Sequence, residues 1–142
     1  MSYTERFSEA WAYLGGINPA SYNSVQDSGN VYVAEYNRIV IIFHAGVLGQ
    51  DVDVDIEEGK TSSASDREAF DSRNKDFTKT ATTDNNTVTV KEIKAEEFTP
   101  DYDYINVEAT PAGSSAIFGV QIWGGEARHK PVSTANLDDV ED

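Results

Sequence analysis

Residues 51–57 read Asp-Val-Asp-Val-Asp-Ile-Glu, and so strict an alternation of carboxylates with β-branched apolar residues fits a β-strand with one dry and one wet face. Val52, Val54 and Ile56 are expected to point inward, leaving Asp51, Asp53, Asp55 and Glu57 on a solvated face. A second run, Ile39-Val40-Ile41-Ile42-Phe43, is apolar at every position, which predicts a central strand covered on both sides. With these two, six apolar runs punctuated by Gly, Asn, Asp and Pro occupy residues 31–34, 38–45, 50–57, 87–93, 104–110 and 115–123. Each has the length of a strand. Residues 76–80 carry Lys79 and little apolar content, which predicts an additional edge strand.

Strands with no long helix between them pair antiparallel, and this many in about a hundred residues predict a mainly β fold, an antiparallel β-sandwich or jelly-roll-like domain. At the N-terminus, Ser2 and Glu5 have capping-box spacing, and Phe7, Trp11 and Leu14 follow at i, i+4 and i+7. That pattern predicts a short amphipathic helix ended by Gly15-Gly16. The turn-forming stretch from Gly15 to Gly29 then reads as an extended connector. Ser65-Asp66-Arg67-Glu68 before Ala69 and Phe70 is a second capping-box pattern, which predicts one or two helical turns inside the polar insertion of residues 59–86. The expected organisation is therefore an N-terminal helix and arm over 1–28, a β-sandwich domain over 29–126, and a C-terminal extension with an acidic tail over 127–142. Asp138, Asp139, Glu141 and Asp142 make that tail acidic, and it is expected to order only on a partner.

At 142 residues the chain is long enough for one core without covalent staples. It has no cysteine, which excludes a disulfide framework, a thiolate zinc site and a Cys nucleophile, and leaves the redox compartment open. Twenty-five acidic against 11 basic side chains give a formal charge of −14, which repels phosphate backbones and anionic membranes. Nucleic acid and membrane are not expected partners. No apolar run approaches the roughly 20 residues of a spanning helix. The first residues, Met-Ser-Tyr-Thr-Glu-Arg-Phe, lack a basic leader and an apolar signal core, so the expectation is synthesis in a cytoplasm.

Candidate reaction centres are thin. The row Asp51, Asp53, Asp55 places acidic oxygens at alternate positions as a calcium loop does, but Ile56 stands where an EF-hand needs glycine. On a strand these carboxylates stand roughly 7 Å apart, too far for one ion without help from Asp101, Asp103 or a neighbouring subunit. No metal or cofactor is expected. His44 ends an apolar strand, and His129 lies between Arg128 and Lys130; a metal site would need both to converge with a carboxylate. Ser114 and Ser115 lack the Gly-x-Ser-x-Gly elbow of a hydrolase. Glu92, Glu96 and Glu97 could pair as glycosidase acids only in the way any pair could among so many carboxylates. Seven tyrosines and two tryptophans, among them Tyr32, Tyr36, Tyr102 and Tyr104, could instead serve a sugar-binding face or a protein interface. The basic run Arg128-His129-Lys130 before the acidic tail could make a head-to-tail contact between subunits.

The order of segments carries a resemblance. Ile17-Asn18-Pro19 is followed by Tyr36-Asn37-Arg38-Ile39-Val40-Ile41-Ile42 and Asp53-Val54-Asp55-Ile56-Glu57. Then come Asp101-Tyr102-Asp103-Tyr104-Ile105-Asn106-Val107, Thr110-Pro111, Ala116-Ile117-Phe118-Gly119-Val120 and Arg128-His129-Lys130-Pro131-Val132. Over residues 17–132 this series resembles a group of small tailed-phage and prophage virion structural proteins encoded near capsid genes. The resemblance implies a non-enzymatic β-sandwich protein, a capsid decoration or cement protein that binds the major capsid protein on the outer shell as a homotrimer. It offers no catalytic residue to carry across. The expected capsid or subunit contacts are Phe7, Trp11, Leu14, Ile17, Arg128 and Lys130. A neck or tail component, and a carbohydrate-binding β-sandwich module displayed on the virion, are the alternatives.

Overall fold

A computed structural model describes residues 6–70 and 75–128. Two antiparallel sheets pack face to face. Sheet A runs in the order β1 (Trp11–Tyr22), β10 (Ala116–Ala127), β4 (Tyr36–Leu48), β8 (Val88–Lys94). Sheet B is centred on β9 (Tyr104–Pro111) and β5 (Val52–Gly59). Its two edges are each made of two short pieces. β2 (Gln26–Asp27) and β3 (Val31–Tyr32) lie along β9, and β6 (Glu68–Ala69) and β7 (Phe77–Lys79) lie along β5. Short, broken edge strands present little free backbone to another chain. The β4–β5 connection carries the chain from sheet A to sheet B, and the fold is the mainly β antiparallel sandwich that the alternating runs imply.

The alternation of residues 51–57 is realised in the strand. Val52, Val54 and Ile56 are buried and Asp51, Asp53 and Asp55 are exposed, with Glu57 between the two classes. Facing them from sheet A are Ile39, Ile41 and Phe43 of β4 and Phe118, Val120 and Ile122 of β10. Phe43 sits at the centre, its ring 5.3 Å from Phe118 and 5.7 Å from Phe77 of sheet B. Only half of the Ile39–Phe43 expectation is met. β4 is an inner strand, but two layers give it one covered face, so Val40 and Ile42 are half-buried on the outside.

The N-terminal segment departs from its helical spacing. Helix α1 spans only Phe7–Ala10, capped by the Arg6 backbone N–H donating to Glu9 Oε2 at 2.8 Å. Ser2 and Glu5 lie outside the described residues. From Trp11 the chain is strand, paired with β10 from Trp11↔Gly125 to Tyr22↔Ala116. Gly15-Gly16 therefore ends no helix. It lies within β1 beside a register shift, and a Cβ at Gly16 would come within 1.9 Å of the Val120 carbonyl, so glycine is what lets the two strands approach. A one-turn helix satisfies few backbone groups, whereas a strand pairing along β10 satisfies most of its own. The stretch expected as a connector is thus largely the edge strand of sheet A.

In the polar insertion, the expected helix from Ser65 is a 3-10 turn over Ala64–Asp66, with Ser63 accepting from the Ser65 N–H, and Glu68–Ala69 form β6. The expected edge strand at 76–80 is β7. One carboxylate falls on the dry side: Glu58 is 3 % exposed and accepts hydrogen bonds from both the N–H and the hydroxyl of Thr99. That pair ties the loop before β9 to β5.

Candidate functional site

Strand register arranges the outer face of sheet A in cross-strand rows. The first row is Trp11, Gly125, Arg38, Lys94; the second is Tyr13, Trp123, Val40, Glu92. The third is Gly16, Gln121, Ile42, Val90, and on the last three strands a fourth follows as Gly119, His44, Val88. One end carries aromatic rings and charges of both signs. Phe7 packs on Trp123 with ring centroids 5.1 Å apart, and Tyr13 packs on the same indole at 5.2 Å. Phe7 is nevertheless 62 % exposed. Arg38 pairs with Glu92 at 2.6 Å and reaches Glu126 at 3.5 Å, and with Lys94, Arg128, Glu96 and Glu126 it lines an open hollow of about 590 Å³. The other end is aliphatic, with Val88 and Val90 exposed at 56 % and 57 %, and Val47 and Ile117 exposed beside them.

The outer face of sheet B is a different surface. Asp53, Asp55 and Glu57 of β5 stand beside Glu108 of β9, and Asp27 of β2 lies opposite Glu108. Burial, followed by the neighbouring charges of Asp76, Glu57 and Asp53, raises the pKa of Asp55 above the ordinary carboxylate value. Burial, then Glu57, Asp55 and Asp27, does the same to Glu108, and Arg67 opposes it. Mutual repulsion thus acts across the whole row. Asp53 accepts from the Thr78 hydroxyl at 2.7 Å, Asp51 from the Ala81 N–H at 2.8 Å, and Glu57 from the Asn106 amide at 3.0 Å. These carboxylates stay spread along the strand, and among the described residues no group of three His, Asp or Glu side chains has metal-site geometry.

The expected contact residues separate. Phe7 and Trp11 share the aromatic corner, where the Trp11 ring occupies the space that a side chain on Gly125 would fill. Arg128 is exposed at the same end of sheet A. Leu14 instead packs against the core, and Ile17 is 6 % exposed within it. Strand alternation turns Ile17 inward beside Val120, which removes it from the contact set. Lys130, His129 and the acidic tail lie outside the described residues. Of the tyrosines, Tyr36 and Tyr102 are buried, while Tyr32 is exposed and packs at a tilt against Tyr104, ring centroids 5.4 Å apart. Glu92 and Glu97 are engaged by Arg38 and Lys75. Local sequence patterns do not single out Tyr13, Gln121, Val88 and Val90, whose shared face is set by register alone.

No protein-family model matches the chain, and no curated protein matches it in sequence.

Proposed function

We propose that this chain is a non-enzymatic structural protein of a tailed-phage virion, a cement or decoration protein that seats the Phe7 corner of sheet A on the outer capsid and leaves the acidic face of sheet B in water. The observation that carries the reading is Phe7 itself. Its ring is braced against Trp123 yet mostly open to solvent, at the end of sheet A that also carries Trp11, Arg38 and Arg128. Aromatic and arginine side chains of this kind make most of the affinity at protein interfaces. In a chain of net charge −14, a corner where Arg38, Lys94 and Arg128 stand among Glu92, Glu96 and Glu126 repels another acidic protein surface less than the carboxylate row of sheet B does. A homotrimer would offer several such corners to a repeating lattice, so modest individual contacts add up through effective concentration. Bridging adjacent capsomers would then stabilise the shell by mass action.

The test is occupancy on purified shells of the phage or prophage that encodes the chain. Deleting residues 1–16 would cut into β1 and confound docking with folding. Phe7→Ser avoids this, because Phe7 lies outside the core. The expected result is an unchanged fold and an affinity for shells at least about tenfold weaker. Undiminished occupancy would remove the corner from the reading.

A further inference from the structure

A notch of about 160 Å³ opens on the outer face of sheet A, between the bulged stretch of β1 and the Gly119–His44 pair. Tyr13, Pro19 and Ile42 give it apolar walls, and Asn18, His44 and Gln121 give it polar groups. Its shape is fixed by backbone. A Cβ on Gly119 would lie 3.0 Å from Pro19, so the arch of β1 rests directly on β10. The Tyr22 hydroxyl donates to the Asn18 carbonyl, and the Tyr22 ring packs on Phe118 at 5.0 Å, which ties the arch to the core.

The chemistry around the notch is selective. Gln121 Oε1 accepts from Trp123 Nε1 at 3.0 Å, which leaves the amide Nε2 to donate elsewhere. Among the described residues, the side chains of Asn18 and His44 have no protein hydrogen-bond partner. No Asp, Glu, Lys or Arg lines the notch. An anion would find no lysine or arginine there, and a cation would find no carboxylate. A wholly apolar side chain would strip water from three polar groups and replace none of their hydrogen bonds. A ring with an apolar face and several hydroxyls meets both requirements, stacking against Tyr13 while bonding to Asn18, His44 and Gln121. The volume is well below that of a drug-sized pocket and admits one ring.

We infer that this notch binds one neutral six-membered sugar ring, either free or as the terminal residue of a polysaccharide. Tyr13 and Gln121 both touch the Trp123 ring on which Phe7 packs, but Phe7 itself does not line the notch, and the inference stands whether or not that corner docks on a shell.

Saturation-transfer NMR of the full chain tests it, with glucose, galactose, mannose and N-acetylglucosamine as probes, alongside neutral oligosaccharides ending in the same sugars. The expected result is transfer to at least one free sugar, with affinity on the order of millimolar as befits a single small ring. An oligosaccharide that binds no tighter marks a single-ring site, and one that binds more tightly marks a polysaccharide end. Gln121→Leu and His44→Phe alter exposed side chains, so both should keep the circular-dichroism spectrum and Tm while weakening binding at least about tenfold. Phe7→Ser should bind sugar as the parent does. Transfer to none of the four sugars, or binding that survives both notch variants, would overturn the inference.

Discussion

The outer faces of the two sheets share one core and have little else in common. Sheet A presents Phe7, Trp123, Val90 and Val88 with its charges confined to one end, whereas sheet B presents Asp53, Asp55, Glu57 and Glu108 side by side. Neither arrangement is what folding alone favours. Exposed valines and a mostly exposed phenylalanine gain little from burial where they stand, and clustered carboxylates repel one another. The contrast teaches that the inner faces hold the sandwich together while the outer faces divide the surface into one suited to contact and one suited to water.

The largest expected effect tests the shared support. Phe43→Ala removes the ring that joins Phe118 of sheet A to Phe77 of sheet B, and urea denaturation should show a loss of about 3–5 kcal/mol. A loss below about 1 kcal/mol would mean that the sheets stand without that junction. Next comes Glu58→Ala, which leaves the Thr99 N–H and hydroxyl without their acceptor and should cost about 1–3 kcal/mol. Glu58→Gln keeps an acceptor and should cost less.

On sheet B the sign reverses. Asp55 and Glu108 have raised pKa values in the folded state, so between the ordinary carboxylate pKa and the raised one the folded chain holds protons that the unfolded chain has released. Their contribution to stability therefore falls as pH rises through that window and is restored on its acid side. Asp55→Asn should stabilise the protein at neutral pH by about 0.5 kcal/mol, a small gain because water and salt screen exposed charges. The gain should shrink as pH is lowered through the window, which thermal melts across a pH series would show. The smallest effect belongs to sheet A: Val90→Thr should leave stability within about 0.5 kcal/mol, since the side chain is largely exposed.

How much of the fold and of the candidate site is legible in the sequence depends on the range of the signal. Alternation within one strand is local, so the residue order by itself assigns Val52, Val54 and Ile56 inward, and they are buried. The spacing of Phe7, Trp11 and Leu14 is equally local and misleads, because β1 is held by pairing with a strand more than ninety residues away, at Trp11↔Gly125. Alternation also carries Glu58 inward, two residues after Ile56, but its partner Thr99 comes from a distant loop, so local order does not show how the buried carboxylate is satisfied. The notch is invisible for the same cause, since Asn18, His44 and Gln121 come from three strands that only the register aligns.

The division of labour between the two faces is tested most directly by measuring shell occupancy for Phe7→Ser and Asp55→Asn side by side, each first shown to be folded by circular dichroism. The account predicts that Phe7→Ser binds at least about tenfold more weakly and that Asp55→Asn binds as the parent does. Loss of binding by Asp55→Asn with full binding by Phe7→Ser would contradict it.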